Sequence, residues 1–282
     1  MSCTDNITWL YVPGDRPTRI RKAYKSGADV VIIDLEDAVS NENKSAARRE
    51  TITFLGEVEA DRGDAPEVHV RVNALDSFAG RGDIVALAAM PRLTGIRIPK
   101  VSSAQMVHEA STLLGDSTAE IHCLIESASG VERLAEIVGT QKIAGISLGE
   151  ADLIAELRLG GEQDLFAIRS RLVVAAAAGG LRPPIMSAFT NIRDLDALEA
   201  SCRLGLAQGF SGRTAIHPDQ LPVINRAFAP SPSEELRARA IVSAYEQNQL
   251  SAFSLADGTF VDPPVLCAAQ RTLDRVEKTR TT

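Results

Sequence analysis

The sequence predicts a (β/α)8 barrel followed by a helical tail. Short apolar runs typical of buried parallel strands alternate with helix-like segments eight times within roughly 220 residues. The chain is 282 residues long, which fits one large barrel or two ordinary domains. A doubly wound open sheet is the alternative, but it usually has fewer strands. It also carries Gly-x-Gly-x-x-Gly after its first strand, and that motif does not occur here.

The predicted strands end at turn residues or at polar side chains. Pro13 and Gly14 stop the first strand. The second is continuously apolar, as expected for a strand that is buried on both faces of a parallel sheet. The eight strands are predicted at residues 8–12, 29–34, 68–73 and 95–100, at the apolar beginnings of 121–130 and 143–152, and at 184–189 and 212–217.

The segments between these strands have amphipathic or alanine-rich patterns typical of helices. Gly27 follows the first helix in the position of a C-terminal cap. Helices are predicted at residues 16–26, 43–58, 82–89, 103–114, 130–138, 165–178 and 194–206. Residues 1–225 are therefore assigned to the barrel. Residues 226–282 are assigned to a helical extension and flap, which is too short for an independent domain.

Composition limits the classes of partner and compartment. Hydrophobic residues make up 45% of the chain and charged residues 24%, which is ordinary for a globular protein. A net charge of -7 argues against nucleic-acid or anionic-membrane partners. The four cysteines are scattered and form no Cys-x-x-Cys pair, which favours free thiols. No membrane span or signal peptide is recognised, and a cytoplasmic enzyme is the expectation.

Polar residues cluster at the predicted carboxyl ends of the strands. Barrel enzymes carry their working residues at those ends and in the loops that follow. A repeated pattern at one rim therefore predicts an active site there. The residues concerned are Asp15, Arg16, Glu36, Asp37, Arg71, Asn73, Lys100, Glu126, Asp152 and His217.

Two of these residues predict a metal site. Glu126 and Asp152 follow consecutive predicted strands, so we expect their carboxylates side by side at one sheet edge. Two adjacent carboxylates without a histidine or cysteine cluster suit a hard cation such as Mg²⁺. Glu126 alone could instead cap the helix that starts after it.

Arg71 is predicted to bind the substrate. Its mid-strand position in Val-Arg-Val makes burial without a purpose costly, and a guanidinium can hold a carboxylate in a bidentate fork. A structural ion pair with Glu36 or Asp37 is the alternative. Mg²⁺ and an arginine together indicate a lyase or aldolase that stabilises an enolate on a carboxylated substrate. His69, His108 and His122 are interpreted as packing or surface residues, and His217 as a strand-end residue.

Several motifs resemble the citrate lyase beta-subunit-like family of the wider aldolase/citrate lyase superfamily. They cover nearly the whole chain in the family's order. The matching stretches are residues 10–17, 26–39, 71–73, 99–101, 125–130, 149–153 and 216–218. The resemblance implies a TIM barrel, a trimer or hexamer, and magnesium as the metal.

The resemblance also implies roles for individual residues. The family's metal ligands fall on Glu126 and Asp152, and its carboxylate-binding arginine on Arg71. Glu36 and Asp37 match carboxylates near metal-bound water, while Arg16 and Lys100 match positions associated with substrate or coenzyme A. Asp262 resembles an aspartate that reaches a neighbouring subunit's site in malyl-CoA and citramalyl-CoA lyases and exchanges a proton with the thioester carbon. By residue type alone, Asp262 is a turn aspartate.

The function implied is Mg²⁺-dependent cleavage of a 3-hydroxyacyl thioester, such as citryl-, malyl- or citramalyl-CoA. The products would be an acyl thioester, on coenzyme A or a carrier protein, and a small 2-keto acid. The alternatives are a free 2-keto acid aldolase, with His217 as a base, and a non-catalytic subunit of a citrate lyase complex. The chain departs from many relatives at Met186 and Asn191, where they have aspartate, and at Arg213, where they have lysine.

Overall fold

A computed structural model describes residues 6–58, 65–247, 253–255 and 258–281, with the side chains of 278–281 excepted. The described chain separates into two compact units that meet in sequence between residues 224 and 225. The predicted division, between residues 225 and 226, is one residue further along the chain. That the tail does not fold independently stays a prediction.

The first unit is a closed barrel of eight parallel strands in sequence order, which confirms the predicted fold class. Neighbouring strands pair in parallel all the way round, and β8 pairs with β1 to close the sheet. The strands are β1 (Thr8–Pro13), β2 (Val30–Asp34), β3 (Glu67–Arg71), β4 (Gly95–Ile98), β5 (Glu120–Ile125), β6 (Ile143–Leu148), β7 (Ile185–Met186) and β8 (Gly212–Ala215).

Helices follow the strands and cover the outside of the barrel, as the apolar pattern predicts. They are α1 (Pro17–Tyr24), α2 (Lys44–Glu57), α3 (Phe78–Leu87), α4 (Ala104–Leu114), α5 (Ala128–Glu132), α6 (Leu134–Val138), α7 (Glu150–Leu157), α8 (Phe166–Ala178), α9 (Leu195–Ala207) and α10 (Leu221–Phe228). The predicted helix at 130–138 is divided into α5 and α6. The sequence pattern gave no indication of α7 and α10, which are both only eight residues long.

The interior of the barrel is filled by side chains and is not purely apolar. Trp9, Val30, Ile32 and Ile185 form a buried apolar cluster. The same interior also takes charged or titratable residues of β3, β4 and β5, which are described below. All five residues of β2 are buried, because a parallel barrel strand is covered both by the interior and by the helices.

The tail unit contains two helices and a short ribbon. These are α11 (Pro232–Gln247), α12 (Pro263–Thr281) and the antiparallel strands β9 (Phe253–Ser254) and β10 (Phe260–Val261). Helices α11 and α12 pack on each other around a core of Ala238, Ile241, Tyr245, Val261 and Ala269. In the part of the chain that the structure describes, no helix is long and apolar enough to cross a membrane.

Candidate active site

Arg71 is held at the rim of the barrel by Asp34. The two residues are register partners at the ends of β3 and β2. Arg71 Nε donates to Asp34 Oδ1 at 2.7 Å, and Nη2 donates to Oδ2 at 2.6 Å. Burial is the largest single influence and would lower the pKa of Arg71, but the hydrogen bonds to Asp34 and the charges of Tyr11, Asp34 and Glu36 together raise it. The guanidinium is therefore fixed in one orientation and permanently charged.

The sequence analysis did not identify Asp34, although it ends a predicted strand. Its carboxylate also accepts the backbone N–H groups of Glu36 and Ala38, each at 3.0 Å. Asp34 therefore shapes the loop after β2 as well as orienting Arg71. The pairing of the two strands could have identified Asp34, because Asp34 and Arg71 are register partners whose side chains point to the same face of the sheet.

The third guanidinium nitrogen of Arg71, Nη1, contacts Glu36 and Asp37. Nη1 lies 3.1 Å from Glu36 Oε2 and 3.2 Å from Asp37 Oδ2. Both predicted ion-pair partners thus contact Arg71, but its bidentate partner is Asp34. Asp37 is largely exposed, whereas Glu36 is buried. Since an exposed aspartate is easily displaced, Nη1 is the atom of Arg71 that an incoming carboxylate could reach.

Glu36 lies between two cations. Lys100 Nζ is 3.0 Å from Glu36 Oε1, on the other side from Arg71. Burial is the largest influence on Glu36 and raises its pKa, with both cations acting against it. The hydrogen bond to Glu36 in turn raises the pKa of Lys100. Glu36 therefore links the residues that follow β2, β3 and β4 into one charged group.

Glu126 follows β5 and is buried at the same rim. Lys100 adopts a left-handed backbone conformation with φ of 55°, and its backbone N–H donates to Glu126 Oε1 at 3.1 Å. Burial raises the pKa of Glu126 to about 7, and the negative charges of Glu36 and Asp152 act in the same direction. A cation bound at this carboxylate would reverse that effect, because an opposite charge favours the ionised form.

Gly149 makes room for Glu126. A Cβ atom at this position would lie 2.4 Å from Glu126 Cγ, closer than side-chain atoms ever approach. Gly149 follows β6 directly, and its N–H donates to the carbonyl of Ile125 at 2.9 Å. The glycine therefore lets the Glu126 side chain cross the end of the neighbouring strand.

Asp152 does not follow its strand directly, as Glu126 does. It belongs to the first turn of α7 and is exposed, whereas Glu126 comes immediately after its strand. Its charge nevertheless acts on Glu126. The charge of Asp152 therefore acts on a strand-end carboxylate from a helix N-terminus, because β6 turns into α7 within one residue.

Glu150, the first residue of α7, has a structural role. Arg169 of α8 donates to both of its carboxylate oxygens, at 2.7 and 2.8 Å, and to Glu162 at 2.7 Å. Arg169 and Glu150 are both buried. This ion pair fixes the start of α7, and with it the backbone that carries Asp152.

The donor set at the rim fits a magnesium ion. Mg²⁺ is usually held by one or two carboxylates and keeps several water molecules, so Glu126 and the exposed Asp152 would be sufficient protein ligands. The raised pKa of Glu126 indicates a carboxylate with too little stabilisation from the protein alone. The metal-ligand roles themselves stay predictions.

Lys44 and Asn73 support the loops behind these residues. Lys44 Nζ donates to the carbonyls of Leu35 and Glu36 at 3.2 and 2.9 Å, and to Asn73 Oδ1 at 2.6 Å. Asn73 donates through Nδ2 to the buried Asp83 at 2.7 Å. The predicted rim residue Asn73 is therefore part of the scaffold that holds the loop after β2.

Three other predicted residues have local partners of their own. The side chain of Arg16 is mostly exposed, and its Nε lies 3.5 Å from Asp15 Oδ1. His217 Nδ1 accepts the backbone N–H of Asp219 at 3.3 Å. In the tail unit, Asp262 Oδ1 accepts the backbone N–H of Val265 at 3.1 Å and caps α12. The proposed roles of Arg16 and Asp262 stay predictions.

Met186, where many relatives have aspartate, is not one of the rim residues. A Cβ on Gly205 of α9 would lie 2.0 Å from Met186 Sδ, so the Met186 side chain faces α9. Met186 is fully buried between β7 and that helix. Arg213 also contacts this outer layer, through its hydrogen bond to Ser201 of α9 at 2.7 Å. Side chains alternate along a strand, so neither residue faces the interior.

Residues 8–218 match the family model described as HpcH/HpaI aldolase/citrate lyase. The chain belongs to this family. It is 35% identical over 273 residues to a (3S)-malyl-CoA thioesterase of Cereibacter sphaeroides, covering 95% of this chain and 93% of that protein. It is 32% identical over 281 residues to citrate lyase subunit beta of Leuconostoc mesenteroides subsp. cremoris, covering 94% and 91%.

A solved structure supports the same HpcH/HpaI family fold. Protein CitE of Mycobacterium tuberculosis, in complex with magnesium, acetoacetate and coenzyme A, superposes with a TM-score of 0.81. It is 31% identical, and the match covers 98% of this chain and 100% of that one. The resemblance inferred from the motifs is thereby confirmed.

Proposed function

We propose that the protein is a Mg²⁺-dependent lyase that cleaves a 3-hydroxyacyl thioester into an acyl thioester and a small 2-keto acid. The observation that carries the proposal is the buried Glu126 carboxylate, whose raised pKa reflects poor stabilisation, beside Asp152 and the fixed Arg71. A magnesium ion at this place would act as a Lewis acid toward the keto-acid oxygens. The relatives named citrate lyase beta subunit and CitE, the latter solved with magnesium and coenzyme A, support this choice.

In this proposal each residue of the site has a distinct role. Asp34 holds the Arg71 guanidinium, and Nη1 binds a substrate carboxylate as Asp37 gives way. Glu126 and Asp152 supply the metal-binding carboxylates. Lys100 fixes Glu126 through its backbone and neutralises Glu36 through its side chain. Asp262 protonates the enolate of the leaving thioester at its α-carbon, and Arg16 contacts the coenzyme A or carrier portion. Assembly as a trimer or hexamer belongs to the same proposal.

A second candidate is hydrolysis of the thioester, because a relative of 35% identity is named (3S)-malyl-CoA thioesterase. The two reactions differ in their products. A lyase releases an acyl-CoA and a 2-keto acid, whereas a thioesterase releases free coenzyme A and the intact hydroxy acid.

The test is a product analysis with the full chain, Mg²⁺ and a panel of malyl-, citramalyl- and citryl-CoA. Chromatography of the CoA species and a keto-acid assay distinguish the reactions, and the free hydroxy acids test the aldolase alternative. Free thiol without keto acid would establish the thioesterase, and turnover of free acid alone would refute both thioester reactions.

Metal-site variants complete the test. We expect Glu126→Ala and Asp152→Ala each to abolish activity and Mg²⁺ binding measured by calorimetry. Glu136→Ala, on an exposed part of α6, is the matched control and should leave both unchanged. Normal Mg²⁺ affinity in either site variant would show that the ion binds elsewhere.

A further inference from the structure

Two buried histidines lie in the half of the barrel interior opposite the rim. His69 of β3 is 0% exposed and His122 of β5 is 8% exposed. Their ring centroids are 4.6 Å apart. His122 precedes Glu126 by four residues, which corresponds to roughly 13 Å along an extended strand. The pair is therefore separate from the proposed active site.

The neighbouring strands are shaped to admit both rings. A Cβ on Gly95 of β4 would lie 2.6 Å from His69 Cε1, and one on Gly145 of β6 would lie 2.6 Å from His122 Nδ1. Trp9 packs against the two rings, with centroids 5.1 Å from His69 and 5.7 Å from His122. The imidazoles are thus seated in fixed positions.

His69 Nδ1 has no hydrogen-bond partner, and Nε2 has only a long contact with Glu67, although the ring is fully buried. Its nearest polar neighbour is Glu67, whose Oε2 lies 3.5 Å from Nε2. A buried polar atom without a partner costs about 1–3 kcal/mol, so such atoms are rare unless an ion or water satisfies them. Burial lowers the pKa of both histidines, which leaves their rings neutral and their lone pairs available.

A carboxylate completes the cluster. His122 Nε2 lies 3.2 Å from Glu120 Oε2, and one ligand atom each from His69, His122 and Glu120 falls within 4.8 Å of the others. Arg182 donates to the other Glu120 oxygen at 2.7 Å and orients the carboxylate. Two imidazoles and one carboxylate are typical ligands of zinc and related transition metals, whereas Mg²⁺ prefers oxygen alone.

We propose that His69, His122 and Glu120 form a second metal site, which takes a transition-metal dication such as Zn²⁺ and stabilises the barrel. The side chains of Glu67 and Glu120 are each about one-third exposed, so the cluster is open to solvent at the amino ends of the strands. The ion would bind all three ligands after a small contraction, since zinc bonds are about 2.0–2.2 Å long.

The surrounding charges limit the affinity of this site. Glu67 and Glu120 contribute two negative charges, and Arg97 and Arg182 contribute two positive ones. Arg97 is buried on β4, stacks over Trp9 at 5.4 Å and donates to Ser147 at 2.7 Å. Because Arg97 cannot move to solvent as Arg182 can, we expect micromolar rather than nanomolar binding of the dication.

The experiment is a titration of the chelator-treated full chain with Zn²⁺, followed by calorimetry, with Co²⁺ as a spectroscopic probe. We expect one Zn²⁺ per chain at this site, visible Co²⁺ absorption bands of a low-coordinate site, and no displacement by millimolar Mg²⁺. Zn²⁺ should also raise the melting temperature. His122→Gln should abolish Zn²⁺ binding at this site, the Co²⁺ bands and the rise in melting temperature. Glu120→Gln should weaken the affinity about tenfold or more.

His108→Gln is the control, because His108 is exposed on α4 and hydrogen-bonds only within that helix. If His122→Gln does not fold, Glu120→Gln decides the question, since Glu120 is at the surface end of the cluster. Zn²⁺ binding weaker than about 100 μM would overturn the proposal. So would unchanged binding in Glu120→Gln, or competition of Zn²⁺ with Mg²⁺, which would place the ion at the rim. None of these outcomes depends on turnover of a thioester.

Discussion

The substitution Glu126→Gln should stabilise the metal-free protein while removing its Mg²⁺ site. The wild-type pKa of Glu126 is raised from 4.5 to about 7, chiefly by burial. A rise of this size corresponds to about 3 kcal/mol of unfavourable interaction of the ionised form. Glutamine has nearly the same shape and does not ionise, so the variant avoids this cost.

The stability difference between Glu126→Gln and the wild type should depend on pH. Because the pKa of Glu126 is higher in the folded than in the unfolded chain, the folded state binds the proton more tightly between about pH 4.5 and 7. The free energy of unfolding of the wild type therefore falls relative to that of the variant as the pH rises through this range. The advantage of Glu126→Gln should be near zero at about pH 4.5 and reach about 2–3 kcal/mol at about pH 8.

The measurement is urea unfolding at both pH values in the presence of a chelator, with Glu136→Gln as a control for loss of an exposed carboxylate. Excess Mg²⁺ should then stabilise the wild type and leave Glu126→Gln unchanged, because only the ionised carboxylate binds the ion. If Glu126→Gln were no more stable than the wild type at about pH 8, the argument from burial would be refuted.

Three further substitutions test the packing around the site. Gly149→Ala should reduce Mg²⁺ affinity at least about tenfold in calorimetry, because its Cβ would displace the metal-binding glutamate; Gly56→Ala, which meets nothing within 4 Å, should not. Arg169→Leu should lower the unfolding free energy by about 3–5 kcal/mol, because it leaves buried carboxylates unpaired. Arg171→Leu, which removes an exposed ion pair on the same helix, should cost under about 1 kcal/mol. Met186→Asp, which restores the residue of many relatives, should destabilise the fold by several kcal/mol in the same assay, since the side chain is buried. Equal effects within either pair, or a stable Met186→Asp protein, would contradict these assignments.

Much of the architecture followed from local pattern. Strand β2 was predicted because a short, continuously apolar run is typical of a parallel strand that is buried on both faces. Short, mainly apolar runs likewise predicted the strands at Gly95–Ile98 and Glu120–Ile125. Strand β7 was predicted too long and is only two residues, because its pairing with β6 and β8 stops there. Helix α7 was missed because its first residues were assigned to the end of the strand-bearing segment 143–152.

The sequence by itself determined the barrel and the identity of the rim residues, because strand order and the alternation of side chains are local properties of the chain. Only the tertiary structure decided how those residues are used. In the structure, Arg71 is paired with Asp34, Asp152 lies on a helix, and the side chain of Met186 faces α9. The structure also brings His69 and His122 together from β3 and β5. Such contacts depend on register and on the curvature of the closed sheet, which residue spacing does not specify.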